Sequence, residues 1–321
     1  MSDVTSQPFD AECRTHLDAQ AKDAGPWDPA WPLARQRTAW EAQCRKARAR
    51  RPSRLMVEDM EVDGIHMRIY RPPGEDPKPG VLYAHGGGWT MGSCETHDDL
   101  CAELADESDV VVVCFDYRLA PEHKHPAQVD DALVVLDWMR SSGRAIGIDP
   151  THIIAAGDSA GGQVAAGVAL AIKRDGGRAL RGLVLINPAT GADTETDSYR
   201  AQASSPALSR DEMIACLEAL LGPKGSANWN DPTGVPNTAK DVSGLPPTFI
   251  TVAAHDPLHD DGVILAGKLQ AAGVPVCLRE EPTLAHSYWR SRHHSRAAMT
   301  GFRAIADAVR HLAHEGALQP Y

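Results

Sequence analysis

Much that would steer a reading elsewhere is missing from this 321-residue chain. No apolar run approaches the roughly 20 residues that cross a bilayer. Met1 to Asp10 has no basic start followed by an apolar stretch, so no membrane anchor and no secretory leader is expected. The seven cysteines, at 13, 44, 94, 101, 114, 216 and 277, include no pair at the two-residue spacing of a zinc or redox site. They are expected as free thiols in the cell interior, several of them core residues, which makes the chain cytoplasmic. Positive charge is also short. Lys and Arg number 32 against 43 Asp and Glu, a net −11, which argues against nucleic acid or an anionic membrane as partner. One basic run, Arg45-Lys46-Ala47-Arg48-Ala49-Arg50-Arg51, is expected as the solvated face of a helix. Neither the neighbours His123 and His125 nor His259 among its acidic neighbours has metal-ligand spacing, so no metal is expected. There is no internal repeat and no low-complexity tract.

What is present is an ordinary globular balance, 43 % hydrophobic and 23 % charged, in a length that suits one large domain or two small ones. Residues 1–50 are predicted as two helices joined by a proline-rich turn around Pro26, Pro29 and Pro32; Trp27, Trp31 and Trp40 are too many large aromatics for a solvated tail, so the helices are expected to bury apolar faces against residues 189–245. Leu55–Val62 and Ile65–Tyr70 flank Asp63-Gly64, the signature of a hairpin. Short aliphatic runs follow at Val81–Ala84, Val110–Phe115, Ile153–Ala156, Leu183–Ile186 and Thr248–Ala253, with Val274–Glu280 as the last. Helical stretches separate them near Asp98–Ser108, Ala127–Ser141, Gly161–Lys173 and Gly262–Ala272. That alternation predicts an α/β protein with a mostly parallel sheet buried on both faces. Residues 189–245 break the rhythm and contain a helix near Arg210–Leu221. They are expected as an insertion over the strand ends, forming a lid with residues 1–50 on a main domain of 51–321.

Two glycine-rich motifs carry the chemistry. Gly157-Asp158-Ser159-Ala160-Gly161 lies between a strand and an Ala/Gly-rich helix, the setting of a nucleophile elbow. Small neighbours let the backbone close tightly, so that the Ser159 hydroxyl is lifted clear at a helix N-terminus. His85-Gly86-Gly87-Gly88-Trp89 follows another buried strand. Consecutive glycines let free amides approach a ligand closely, as an oxyanion requires. Gly87 and Gly88, with the amide of Ala160, are the expected donors. A phosphate cradle fails because no Gly-Lys-Ser/Thr follows either cluster.

A serine hydroxyl needs a base, held in turn by a carboxylate. Asp256, Asp260 and Asp261 follow the strand Thr248–Ala253. Asp256 is nearest the strand end, whereas Asp260 and Asp261 suit the first turn of the next helix. Among the late histidines, His286 is preferred over His293, His294, His311 and His314, because it follows just after the expected last strand.

The sequence resembles the hormone-sensitive-lipase-like esterases, bacterial family IV of the lipolytic enzymes, over most of the chain beyond about residue 55. The resemblance rests on His85–Trp89, Asp116-Tyr117-Arg118-Leu119-Ala120-Pro121-Glu122, Gly157–Gly162, Leu245-Pro246-Pro247 and Asp256–Gly262. It implies the α/β-hydrolase fold with a helical cap and a serine carboxylesterase acting on small-molecule esters of short-to-medium acyl length. It implies the triad Ser159, Asp256 and His286, an oxyanion hole at Gly87, Gly88 and Ala160, no cofactor, and a homodimer through the last strand. His85, Gly86, Trp89 and Asp158 belong to its motifs. The chain departs from the pattern at Ser287 and Tyr288, where glycine and phenylalanine are usual, at Gln163 for asparagine and at His259 for arginine; these departures bear on the shape of the acyl pocket. An amidase, a lactonase, or a ligand-binding receptor on the same fold is the competing expectation.

Overall fold

The computed structural model describes residues 7–24, 28 and 30–319. Trp27, Pro26 and Pro29 therefore lie outside the described residues. The hairpin forms as expected: β1 (Met56–Val62) pairs antiparallel with β2 (Ile65–Arg71), in a register that closes on Val62 opposite Ile65. Asp63 and Gly64 both have positive φ, 48° and 80°, as a two-residue hairpin turn demands. β2 runs antiparallel to β4 (Val111–Phe115). From there the sheet is parallel, through β3 (Lys78–Ala84), β5 (Ile148–Asp158), β6 (Leu183–Ile186), β7 (Thr248–His255) and β8 (Val276–Ala285). The order across the sheet is β1-β2-β4-β3-β5-β6-β7-β8.

The continuous apolar runs are explained by two cores, one on each face. Along β4, Val111, Val113 and Phe115 point into one cluster and Val112 and Cys114 into the other. The first cluster is closed by α4 (Ala127–Ser141), α5 (Ala160–Asp175) and α8 (His259–Ala271). The second is closed by α3 (Asp98–Ser108) and α9 (Arg296–Glu315). A strand buried on both faces shows no polar alternation, so periodicity alone could not have assigned its faces. β8 runs to Ala285, five residues past the expected Glu280, and so delivers His286 directly.

Two further regions sit by the C-terminal ends of the parallel strands. α1 (Ala11–Asp23) and α2 (Leu33–Ala47) form from the N-terminal segment. α6 (Asp197–Ala201) and α7 (Arg210–Leu221) belong to the interruption between β6 and β7, and Ser209 with Glu212 gives α7 a full capping box. α7 joins the first core through Met213, Leu217, Leu220 and Leu221.

α2 behaves differently from expectation. It has no buried residue, and Trp31 and Trp40 are only half-buried. Arginines hold it instead. Arg37 binds Glu122 with two nitrogens and donates to the Thr90 and Ala120 carbonyls. The basic run is likewise not a solvated helix face: α2 stops at Ala47, Arg45 and Arg48 pair with Glu95, and Arg51 grips Asp98. Arg68 and the Tyr70 hydroxyl also reach Asp98, whose side chain is buried. Burial would raise Glu95, yet Arg45, Arg68 and Arg48 outweigh it and hold the carboxyl down at about 2. Charges brought to the N-terminus of α3 by distant segments account for the run.

Candidate active site

β5 ends at Asp158 and α5 starts at Ala160, so Ser159 alone makes the corner, at φ 56° and ψ −121°. Positive φ is costly for a residue with a Cβ, and the neighbours show what enforces it. A Cβ on Gly161 would collide with the Ala84 carbonyl, and one on Gly157 with the backbone of Gly161. Glycine at both positions lets α5 start hard against the end of β3. The Ser159 amide donates to Ile186 O on β6.

The expected partners converge on that serine. His286 Nε2 lies 2.9 Å from Ser159 Oγ, and His286 Nδ1 lies 2.7 Å from Asp256 Oδ2. Asp256 is fully buried at the end of β7, and its other oxygen accepts from the Leu258 amide at 2.9 Å. Ser159 and His286 are 6 % and 8 % exposed, enough to meet the cavity above them. That cavity is about 520 Å³, and Gly87, Gly88, Leu208, Met213 and Cys216 are among its walls.

The glycine loop after β3 carries φ of 125° at Gly87, 58° at Gly88 and 58° at Trp89. A Cβ on Gly87 would strike the Met91 carbonyl. Trp89 is fully buried and donates from Nε1 to Gln163 Oε1 at 2.7 Å, while Gln163 donates onward to Thr233 O at 2.6 Å. Gln163 thus ties the loop to the insertion. The Gly86 amide is taken by Asp158 Oδ1 at 3.1 Å. No acceptor among the described residues takes the amides of Gly87, Gly88 or Ala160. His85 stacks on Tyr117 at 4.1 Å, its Nδ1 2.9 Å from Gly86 O, and burial followed by the nearby His97 lowers it to about 4.

Beneath the serine lies a second histidine–aspartate pair, which sequence reasoning missed. His97 Nε2 is 3.2 Å from Asp158 Oδ1, and the Tyr83 hydroxyl donates to the same oxygen at 2.8 Å. Burial would raise Asp158, but His97 and the Tyr83 hydrogen bond overcome it and hold the carboxyl at about 2. No hydrogen bond joins His97 to Ser159 among the described residues. The signal available was a carboxylate before the serine, which must find a partner if it is buried.

Two expectations need correction. Asp260 and Asp261 do occupy the first turn of α8, but neither is a mere helix-start charge. Asp260 accepts from the Ser198 amide and Asp261, fully buried, from the Gly191 amide, both at 2.9 Å, so each anchors the segment after β6. Burial drives Asp261 up to about 8, against that hydrogen bond. Tyr288 does not shape the acyl pocket either. It is buried against α9, and its hydroxyl meets Thr251 Oγ1 at 3.0 Å, leaving Ser287 at the cavity. His259 bridges Asp260 and Glu280, and His125 contacts Asp231. Among the described residues, His66, Cys94 and Asp116 could together face a cation. Asp116 is already engaged by His66 Nδ1 and the Cys94 amide, at 2.7 and 2.6 Å.

This fold and corner define a class. The chain belongs to the α/β-hydrolase family, whose alpha/beta hydrolase fold pattern matches residues 81–290, and within it to the hormone-sensitive-lipase-like esterases. It is 42 % identical over 244 residues to the carboxylesterase NlhH of Mycobacterium tuberculosis, covering 73 % of this chain and 76 % of that one. It is 34 % identical over 250 residues to the ethyl acetate hydrolase of Pseudomonas putida, covering 76 % and 78 %. The structure superposes on the hyperthermophilic esterase of the archaeon Pyrobaculum calidifontis with a TM-score of 0.85 and 30 % identity, over 96 % of this chain and 99 % of that one. The protein is a carboxylic ester hydrolase.

Proposed function

We propose that the chain hydrolyses short-to-medium acyl esters through an acyl-enzyme, with Ser159 as nucleophile, His286 as general base and Asp256 as the acid that orients it. The observation that carries this is the hydrogen-bonded line from Ser159 Oγ through His286 to Asp256, opening on a cavity beside three unclaimed amides. Ser159 Oγ attacks the ester carbonyl while its proton passes to His286 Nε2, and Asp256 stabilises the imidazolium. The oxyanion is received by Gly87, Gly88 and Ala160. His286 then protonates the departing alcohol, and water activated by the same nitrogen cleaves the acyl-enzyme. His85, Gly86, Trp89 and Asp158 position the glycine loop and the serine corner. No step uses a metal, so dialysis against EDTA is expected to leave turnover unchanged.

Residues 1–50 and 189–245 act as a cap on the domain 51–321; in support, α2 and α7 both contribute to the cavity wall. Short-to-medium acyl chains suit a cavity of this volume, which lies in the ordinary small-molecule range. The seven free thiols favour the cell interior. A fluorophosphonate probe tests the core of the reading. Labelling at Ser159, lost in Ser159→Ala, is expected; a folded wild-type protein that resists the probe would instead be a ligand-binding receptor.

A further inference from the structure

The catalytic cavity does not stand alone. A second cavity of about 360 Å³ lies between α1, α2 and the segment after β8, and the two share Trp40, Gln43 and Arg290 as a common wall. Arg290 is half-buried there, four residues beyond His286. Its guanidinium lies 4.3 Å from the Trp289 ring centre and 5.4 Å from that of Trp40. Nη1 donates to Thr96 O at 3.3 Å and meets Cys44 Sγ at 3.5 Å. Among the described residues no carboxylate comes within ion-pair distance of it, and its remaining nitrogens have no protein acceptor.

Three of the acidic groups nearby are already committed. Asp158 is paired with His97, and Asp99 is bound by Arg292. Glu212, on the catalytic cavity, accepts from the Ser209 amide and hydroxyl to cap α7. On the second cavity Asp23 is the one acidic side chain among the described residues, and Lys46, His16 and His294 share that wall. A guanidinium lying over two indole rings, partly withdrawn from water and with no carboxylate within ion-pair distance among the described residues, presents a planar fork that fits a carboxylate.

We infer that the preferred substrates are esters bearing a carboxylate remote from the scissile bond, and that Arg290 receives it. This rests on the reading of the site as an esterase centre. The uncharged remainder of such a substrate lies along the cavity while its ionised end reaches the shared wall. A neutral ester leaves the remaining guanidinium nitrogens to water, so discrimination comes from a charged hydrogen bond that only the anionic substrate can make.

The test is a pH-stat comparison of monoethyl esters of the dicarboxylic acids from succinate to suberate with ethyl esters of monocarboxylic acids of matching length. The expected result is a kcat/KM ratio of about tenfold or more in favour of the anionic ester at the best length, falling as salt is raised. Arg290→Gln should lower that ratio about ten- to hundredfold, Arg290→Lys should restore part of it, and Arg290→Glu should reverse it. A wild-type ratio at or below one at every length overturns the inference, and so does an Arg290→Gln variant whose ratio is unchanged. If the variants do not fold, the wild-type ratio and its salt dependence still decide. Failure to hydrolyse either series by folded enzyme would overturn the esterase mechanism itself, a separate outcome.

Discussion

At Ser159 the backbone carries a strain that its glycine neighbours accommodate. The serine holds φ 56° because glycines on both sides admit the close approach of β3 and α5. Ser159→Ala is expected to keep the fold and lose about 10⁴-fold or more in turnover, because binding and the oxyanion donors remain while the nucleophile is gone. Gly161→Ala should act on stability instead. Its new methyl meets the Ala84 backbone, which cannot move without shifting the sheet, so a loss of about 1–3 kcal/mol by urea unfolding is expected. Wild-type stability in that variant would show that the corner relaxes. Asp261 offers a test in pH. Its carboxyl is raised to about 8 when folded, so the folded state binds an extra proton between the ordinary aspartate range and that value. The associated stability is complete below the ordinary range, declines as pH rises through it, and is gone once pH passes about 8. Asp261→Asn keeps an uncharged acceptor for the Gly191 amide. The stability gap between wild type and variant should therefore move in the variant's favour from about pH 6 to about pH 9. A gap that does not change with pH would mean the carboxyl is ionised in its burial.

At the scale of elements, α2 is held by charge where an apolar face was anticipated. α2 buries no residue, and Arg37 clamps it to the Thr90 and Ala120 carbonyls and to Glu122, beside the glycine loop. Arg37→Ala should therefore loosen the loop that carries the proposed oxyanion donors. The expected result is a loss in kcat/KM of roughly tenfold, with circular dichroism little changed, since charged hydrogen bonds of this kind contribute about 1.5–3 kcal/mol and part will be recovered by water. Unchanged kinetics would separate α2 from the cavity. The hairpin, α3, α4 and α7 were legible in the sequence to within a residue or two, because turn chemistry and helix periodicity are local. The far end of β8 was not. The last strand was expected to end at Glu280, yet pairing with β7 carries it on to Ala285. The hold on the basic run was equally hidden, since Glu95 and Asp98 are distant in sequence and near only once α3 is docked.

For the whole molecule, β8 is an edge of the sheet, and Leu278 on it is 40 % exposed, as is Ile264 on the adjoining α8. Among the described residues only the Asp10 amide, which donates to Thr283 O, reaches that edge from outside the sheet, and an open edge with apolar side chains invites a second copy. We expect a homodimer by light scattering at micromolar concentration, and Leu278→Lys should shift it to monomer; a wild-type monomer under those conditions would remove the proposal. The sequence by itself determined the α/β class, the serine corner and the glycine loop, and it offered Asp256 and His286 as preferred candidates, because each is written in contiguous residues or in the order of strands. Tertiary structure alone decided that His286 comes within 2.9 Å of the serine hydroxyl while His97 turns to Asp158. It also decided that, among the described residues, Asp261 is buried without a counter-charge, Tyr288 faces the core, and Arg290 has no carboxylate within ion-pair distance at the cavity wall. These depend on which side chains from remote segments meet when the sheet closes, and on how much water each keeps. No local pattern of residues encodes either.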